Sequence, residues 1–121
     1  MWTFRQTTGQ VLHEGKVVGT GYSGRGLGKN NPEKQEVPMV GPIPQGAWLI
    51  GAPESHPVTI GAYALPLTPK EGTETFGRGE FFWHGDSYKH PGEASHGCIV
   101  SIRALRERIW ESGDRELEVT A

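Results

Sequence analysis

The sequence is short of cysteine, of unbalanced charge and of long apolar runs. Its one cysteine cannot form a disulfide within the chain, so cysteine content indicates no redox compartment. The formal net charge is only -2, with acidic and basic residues interspersed, which argues against nucleic acid or an anionic membrane as a partner. No apolar run approaches the length of a membrane span. These absences argue against a nucleic-acid-binding protein and against a membrane-spanning one.

The first residues also lack the features of a secretory leader. Met1 is followed by Trp2–Gln6, which contains neither a basic stretch nor an apolar core. We therefore expect synthesis in the cytoplasm without a signal peptide, and delivery by another route if the protein acts elsewhere.

Glycine and proline, in contrast, are plentiful, with 18 and 9 residues among 121. Such frequent turns, with few long helical patterns, indicate a mainly β protein. A hydrophobic fraction of 35% suits one small domain spanning residues 1–121, because a second domain would lack the apolar surface for its own core. We expect this domain to be a monomer.

Apolar and polar residues alternate in several short stretches, and this alternation predicts strands. Pro66 and Pro69 are expected to end one of them, because proline cannot donate to a sheet ladder. The predicted strands are 2–5, 10–13 and 16–22 as a hairpin about Glu14-Gly15, 47–50, 59–67, 80–84 and 116–119.

A single helix is predicted near the C-terminal end, over residues 102–111. Ile102, Leu105 and Ile109 recur at helical spacing and so share one face. Ser101 is predicted to cap the helix, since serine readily accepts a hydrogen bond from the first free N–H groups.

A glycine-rich stretch from Gly21 to Pro32 superficially resembles a phosphate-binding loop. The spacing from its glycine to Gly28-Lys29 is one residue short, and Asn30 stands where Ser or Thr would hold magnesium. No helical pattern follows it. We expect no nucleotide site there, and interpret the stretch as a surface loop or as a loop that lines a substrate cleft.

The stretch with the most reactive side chains runs from His84 to Cys98. A thiol becomes a nucleophile when a base removes its proton, and imidazole is the usual base near neutral pH. His84 ends an aromatic strand, and Cys98 stands between Gly97 and the apolar pair Ile99-Val100, at a predicted loop-to-strand junction. We predict that Cys98 is the nucleophile and His84 its base. The Gly85 carbonyl would orient the ring, and N–H groups of the turn would hold an oxyanion.

Two neighbouring residues leave alternatives open. His96 is two positions from Cys98 and shares its face if the segment is extended, so it is a second candidate base or a donor to substrate or oxyanion. Asp86 either orients His84, binds a substrate ammonium group or hydrogen-bonds its own backbone in a turn. His90 falls in a predicted exposed loop and is not expected to be catalytic.

Fragments that occur in order along nearly the whole chain carry a family resemblance. They are Gly21-Tyr22-Ser23-Gly24, Gly28-Lys29-Asn30-Asn31-Pro32, Val40-Gly41-Pro42-Ile43-Pro44, Phe76-Gly77-Arg78, His84-Gly85-Asp86-Ser87 and Ser95-His96-Gly97-Cys98-Ile99. Together they resemble the type VI secretion L,D-transpeptidase effector family, a branch related to the YkuD-like L,D-transpeptidases. The broader group consists of cysteine enzymes that remodel bacterial peptidoglycan.

The resemblance implies an L,D-transpeptidase-like β-sandwich or barrel of short strands with one C-terminal α-helix. It implies that Cys98 attacks the carbonyl at the L-configured centre of meso-diaminopimelate in a tetrapeptide stem and releases D-Ala, with His84 as base and the Gly85 carbonyl orienting it. The thioester then passes to water, to a free D-amino acid or to a second stem. No cofactor or metal is expected. Substrate or oxyanion contacts are expected from Tyr22, Ser23, Arg78, Asp86, Ser95, His96 and Gly97.

Partners and place of action follow from the same resemblance. It implies peptidoglycan stem peptides as substrate, a cognate immunity protein, a secretion-system carrier and action in the periplasm of a target bacterium. His84 and Cys98 are 14 positions apart (84 to 98), and Val100 stands where the general cell-wall enzymes usually carry Asn or Arg. Both departures fit the effector branch. A phage lysis protein would also lack a signal peptide, so the missing signal peptide does not distinguish it from a type VI effector.

Two other hypotheses compete with a cysteine enzyme. The first is a zinc hydrolase for the same substrate, with His84, Asp86, His90, His96 and Cys98 as possible ligands, although their spacing matches no common zinc pattern. The second is a non-catalytic cell-wall-binding module in which Cys98 is a core thiol.

Overall fold

The N-terminal meander forms where the sequence alternates apolar and polar residues. In the computed structural model, which describes residues 1–121, Trp2 and Phe4 are fully buried while Arg5 is exposed. The predicted hairpin turns at Glu14 and Gly15, which both have positive φ (50° and 79°), as a tight two-residue connection requires.

Ten strands and one α-helix make up the regular structure, together with short 3-10 turns at Gly26–Gly28 and Pro32–Lys34. The helix α1 spans Arg103–Glu111. The strands are Trp2–Arg5 (β1), Gln10–His13 (β2), Lys16–Thr20 (β3), Tyr22–Ser23 (β4), Gly46–Ile50 (β5), Glu54–His56 (β6), Gly61–Pro69 (β7), Phe81–His84 (β8), Ile99–Val100 (β9) and Glu116–Thr120 (β10).

The strands form one open sheet in the order β3-β2-β1-β10-β5-β7-β8-β9-β4, and β6 pairs with β7 beside this path. Two neighbouring pairs are parallel, β1 with β10 and β8 with β9; the others are antiparallel. Strand residues outnumber helical ones threefold (36% against 12%), which confirms the prediction of a mainly β protein with one helix near its C-terminal end.

The core is one cluster of buried apolar side chains that includes three of the four tryptophans, Trp2, Trp48 and Trp83. Leu105 and Ile109 bring one face of α1 into it, as their spacing predicted. Ile102 is 72% exposed, however, because it precedes the first turn of the helix and does not share that face.

Two local predictions are wrong for reasons that lie across the sheet. Ser101 does not cap α1; its hydroxyl accepts a hydrogen bond from Trp83 Nε1 at 2.9 Å in the interior, and Ile102 occupies the cap position. Pro66 does not end a strand but lies within β7, opposite Phe82. The pair tolerates a residue without an N–H, because Phe82 directs its own N–H towards Cys98 Sγ and the Pro66 carbonyl accepts from Gly51.

Candidate active site

The parallel pairing of β8 with β9 brings the predicted base and nucleophile to adjacent strands. Trp83 lies opposite Ile99 and His84 opposite Val100, so Cys98, directly before β9, lies next to Phe82. The prediction of a loop-to-strand junction at Cys98 is confirmed. His84 and Cys98 line the same cavity of about 310 Å³.

His84 is buried, with only 3% of its surface exposed, and its orientation is set by the next residue. Its Nδ1 lies 2.8 Å from the Gly85 carbonyl oxygen, which only accepts, so Nδ1 carries the proton and Nε2 keeps a free lone pair. Burial lowers the pKa of His84, the hydrogen bond to Gly85 opposes this shift, and the charge of Arg106 adds to it. The ring is therefore neutral at neutral pH and able to accept a proton.

Cys98 is a protonated thiol at neutral pH. Burial raises its pKa above the ordinary value of 9.0, while the Phe82 N–H and the positive charge of Arg78 act in the opposite direction. The Phe82 N–H donates to Sγ at 3.3 Å, and Sγ lies 3.8 Å from the Glu80 carbonyl oxygen. A thiolate formed here would keep one donor and one nearby cation.

Ser95 and Ser23 are fully buried and lie outside the cavity, so their contacts are with the chain itself. Ser95 Oγ accepts hydrogen bonds from the N–H groups of Gly97 (3.1 Å) and Gly24 (2.9 Å), and it donates one to the Cys98 carbonyl. Ser23 Oγ donates to the Gly97 carbonyl at 3.0 Å and accepts a backbone N–H at 2.8 Å. The Gly97 N–H is thus occupied and is not free for an oxyanion.

Gly97 lines the cavity and has a backbone conformation that side chains rarely adopt (φ 139°). A Cβ there would lie 2.4 Å from a terminal nitrogen of Arg78 and 3.2 Å from the Phe81 ring. Glycine is therefore needed at this position first for its backbone conformation and also for the close packing beside Cys98.

His96 is exposed at the rim of the cavity, and its side chain is engaged by a residue of the glycine-rich stretch. Its Nε2 lies 2.9 Å from Arg25 Nη1, and because arginine only donates, Nε2 is the acceptor. Residues 96–98 form a bend, so the condition under which His96 and Cys98 would share a face is not met.

Tyr22 and Asp86 form a hydrogen-bonded pair that anchors both ends of the connection between β8 and β9. Tyr22 donates to Asp86 Oδ1 at 2.6 Å and accepts the Ala94 N–H at 2.9 Å. Asp86 also accepts the N–H groups of Ser87 and Gly92. Burial opposes ionisation of Asp86, but these hydrogen bonds outweigh it and lower its pKa; burial and the contact with Asp86 raise the pKa of Tyr22. The interpretation of Asp86 as a turn residue fits these contacts.

Arg78 lines the cavity and binds backbone carbonyls on the segments around it. Its guanidinium donates to the carbonyls of Pro42 (2.8 Å), Gly41 (2.9 Å) and Gln35, and at 3.4 Å to that of His96. Burial lowers its pKa, although it remains charged at neutral pH. Arg78 thereby holds the cavity wall together and places a positive charge near Cys98.

Comparison with known families identifies the family to which the chain belongs. A family model described as the Tlde1 domain, the type VI secretion L,D-transpeptidase effector family, matches residues 18–119. The chain belongs to the Tlde1 domain family. Membership implies a peptidoglycan-modifying type VI effector with L,D-transpeptidase-like enzyme activity, delivered into a target cell. A search of curated proteins and a search of solved structures gave no significant match.

The zinc hypothesis would need at least three of its proposed ligands to converge. In this Tlde1 domain the one group of three potential ligand atoms within 4.8 Å of one another is His13, Glu14 and Asp114, away from the cysteine. No three of the five ligands proposed from the sequence form such a group.

None of the helices of the domain is long and apolar enough to cross a bilayer.

Arg106 is the residue of the Tlde1 site that the sequence analysis missed. It is buried in α1, and a Cβ on Gly85 would lie 3.2 and 3.3 Å from its terminal nitrogens, so the guanidinium packs directly against the residue that orients His84. Arg106 follows Leu105 and precedes Ile109 by three positions. A charged residue so close to the apolar face of a helix was the signal available.

Proposed function

We propose that this Tlde1 domain is a cysteine enzyme that acts on peptidoglycan tetrapeptide stems, related to the YkuD-like L,D-transpeptidases. It removes the terminal D-Ala as an L,D-carboxypeptidase, and it exchanges that residue for other D-amino acids. Cys98 is the nucleophile and His84 the general base. One observation carries the proposal: His84, with Nδ1 held by the Gly85 carbonyl, lines the same cavity as Cys98.

The pKa directions favour general-base catalysis over a preformed ion pair, since both groups are neutral in the resting protein. As Sγ attacks the stem carbonyl, His84 Nε2 accepts the thiol proton. The Phe82 N–H and the charge of Arg78 support the thiolate character that develops on sulfur. His84 then donates the proton to the nitrogen of the departing D-Ala, and later activates the water that hydrolyses the thioester.

The oxyanion of the tetrahedral intermediate needs a donor other than the Gly97 N–H, which Ser95 occupies. The N–H of Cys98 itself is the alternative donor that we propose, because it donates to no backbone carbonyl. A backbone donor on the nucleophile moves with it and needs no rearrangement during the reaction.

Delivery and neutralisation follow the family. We propose that the protein is carried by a type VI apparatus, acts in the periplasm of a target bacterium and has a cognate immunity protein in the producing cell. Consumption of tetrapeptide stems would deprive the target of substrates for cross-linking.

The test is incubation of purified protein with tetrapeptide muropeptides, with and without chelator, beside Cys98→Ala, His84→Gln and the control His90→Ala. His90 is exposed, and its one charged contact is Glu93 at 3.6 Å. We expect tripeptide from the wild type and from His90→Ala, unaffected by chelator, and none from Cys98→Ala. His84→Gln should lose on the order of 100-fold or more in rate, as removal of a general base does.

The other hypotheses predict different outcomes in the same assay. Activity lost with chelator and kept in Cys98→Ala would indicate a metal enzyme. Binding of muropeptides without product in any sample would indicate a cell-wall-binding module.

A further inference from the structure

A second cavity, of about 550 Å³, adjoins the cysteine cavity and carries two arginines of α1. Gly85 lines the second cavity and His84 the first, and Ile60 lines both. We propose that this second cavity, through Arg103 and Arg106, binds the carboxylate of the amino acid that leaves or enters at the acyl-enzyme. The inference rests on the proposed function and names the subsite for its leaving group and acceptor.

The positive charge of Arg106 in this cavity has no carboxylate in contact with it. Arg106 is only 4% exposed, and it donates to the carbonyls of Tyr63 and Ala62 and to that of Ser101, but to no carboxylate. A buried cation without a counterion is costly, and an anionic ligand would relieve that cost.

Arg103 adds a second positive charge at the rim. Its side chain is 58% exposed, and its one ion pair, with Glu107, is long at 3.4 Å. Asp86 is the one carboxylate that lines the cavity, and its oxygens already accept the Tyr22 hydroxyl and the N–H groups of Ser87 and Gly92. The cavity therefore offers a net positive charge to a carboxylate.

The chemistry of exchange requires such a subsite close to His84. In acylation, the C–N bond to D-Ala breaks as the C–S bond to Cys98 forms, and the leaving nitrogen takes its proton from His84. In exchange, an incoming amine forms the C–N bond, loses its proton to His84, and Cys98 leaves and regains a proton. The second step is the reverse of the first with another amino acid, so both amino acids occupy one subsite, with amine towards His84 and carboxylate beyond it.

The size of the cavity bears on which amino acid enters. Exposed apolar side chains, Tyr88 and Ile102, stand at its rim beside Ile60. They provide apolar contact for a side chain larger than the methyl group of D-Ala. The shared chemistry of the acceptors is a primary amine next to a carboxylate, whether on a free D-amino acid or on the diaminopimelate of a second stem.

The matched variants are Arg103→Ala and Arg108→Ala. Both remove one exposed positive charge from α1, but Arg108 does not line the cavity. Each is assayed with a tetrapeptide that ends in free D-Ala and with the same peptide ending in D-alaninamide. We expect the wild type and Arg108→Ala to cleave the free acid faster than the amide. In Arg103→Ala the ratio of the two rates should be about fivefold smaller, which is the effect of one charge-assisted contact at a partly exposed site. Equal preferences in Arg103→Ala and Arg108→Ala would overturn the proposal.

The acceptor side is tested by adding D-methionine or D-methioninamide, or a second tetrapeptide stem, to the reaction. The ratio of exchange product to tripeptide should depend on the carboxylate of the acceptor in the wild type and fall in Arg103→Ala, while tripeptide formation continues. The arm in which the ratio falls most, free amino acid or stem, identifies the physiological source of the acceptor. An exchange ratio indifferent to the acceptor carboxylate would refute the proposal while the carboxypeptidase function stood.

A binding measurement separates failure of the subsite from failure of the enzyme. D-Methionine is titrated into Cys98→Ala protein and followed by the backbone NMR signals of residues 85–88 and 100–106. Saturable shifts that weaken about fivefold with Arg103→Ala, but not with Arg108→Ala, support the subsite even if no turnover is found. Absence of shifts at the highest soluble concentration contradicts it.

Discussion

Replacing Ser23 by alanine tests how the nucleophile is held in place. Ser23 is fully buried, and its hydroxyl satisfies two backbone groups, the Gly97 carbonyl at 3.0 Å and the Ile43 N–H at 2.8 Å. Alanine leaves both groups without a partner in the interior. At roughly 1–3 kcal/mol for each of the two buried groups left unsatisfied, we expect the free energy of unfolding to fall by about 2–6 kcal/mol.

This loss is measured by urea unfolding. With a slope of about 2 kcal/mol per molar urea, the midpoint should fall by about 1–3 M without a change in slope. The rate of tripeptide formation in folded protein should also fall by about tenfold or more. Without the hydrogen bond from Ser23, the Gly97 carbonyl is no longer held, and the neighbouring Cys98 can shift. A misplacement of about 1 Å costs up to about 100-fold in rate.

The matched control for this prediction is Ser55→Ala, which removes an exposed hydroxyl on β6. Ser55→Ala should leave both the midpoint and the rate within error of the wild type. If Ser23→Ala unfolds at the same urea concentration as Ser55→Ala, the hydroxyl of Ser23 does not brace the turn, and the reasoning fails.

Three further predictions concern the base, its support and the cavity wall. The acid limb of kcat/KM should have its midpoint below pH 6.5, because burial lowers the pKa of His84 and only the neutral ring accepts the thiol proton; a midpoint at or above 6.5 in the pH–rate profile contradicts this. Gly85→Ala should lower kcat about tenfold or more, with the fold retained by circular dichroism, since its Cβ would lie 3.2 Å from a nitrogen of Arg106. Arg78→Lys keeps the charge but loses the planar fork, so urea unfolding should show a loss of about 2–4 kcal/mol that Arg108→Lys does not share.

The elements that sequence analysis predicts well are those set by local pattern. The first hairpin depends on alternation and on the turn at Glu14-Gly15, and both are contained within a few residues. The strand that carries His84 and the junction before Ile99 are likewise visible as short apolar runs beside glycine. These runs were enough to place His84 at the end of a strand and Cys98 directly before the next one.

The role of the surrounding polar residues depends on partners far away in the chain, which periodicity does not reveal. Ser23 and Ser95 stand in fragments that carry the family resemblance, yet their hydroxyls bind backbone groups that are up to 74 positions distant. Arg106 reaches the carbonyls of β7 from a helix more than 40 positions away. Contacts of this kind can be predicted only once the strand order is known. In this sheet β4 lies beside β9.

The pairing of β8 with β9 allows the reactive pair and the wall of the second cavity to vary separately. A hydrogen-bonded ladder sets the offset between His84 and Cys98, whereas the crossover that joins the two strands is anchored near its ends by Tyr22. Its middle, residues 88–91, is exposed and makes no part of the ladder. Residues inserted there would extend the wall of the second cavity and leave the ladder unchanged. If the second cavity holds the acceptor as proposed, length variation in these four exposed positions would change the acceptor and leave the chemistry the same.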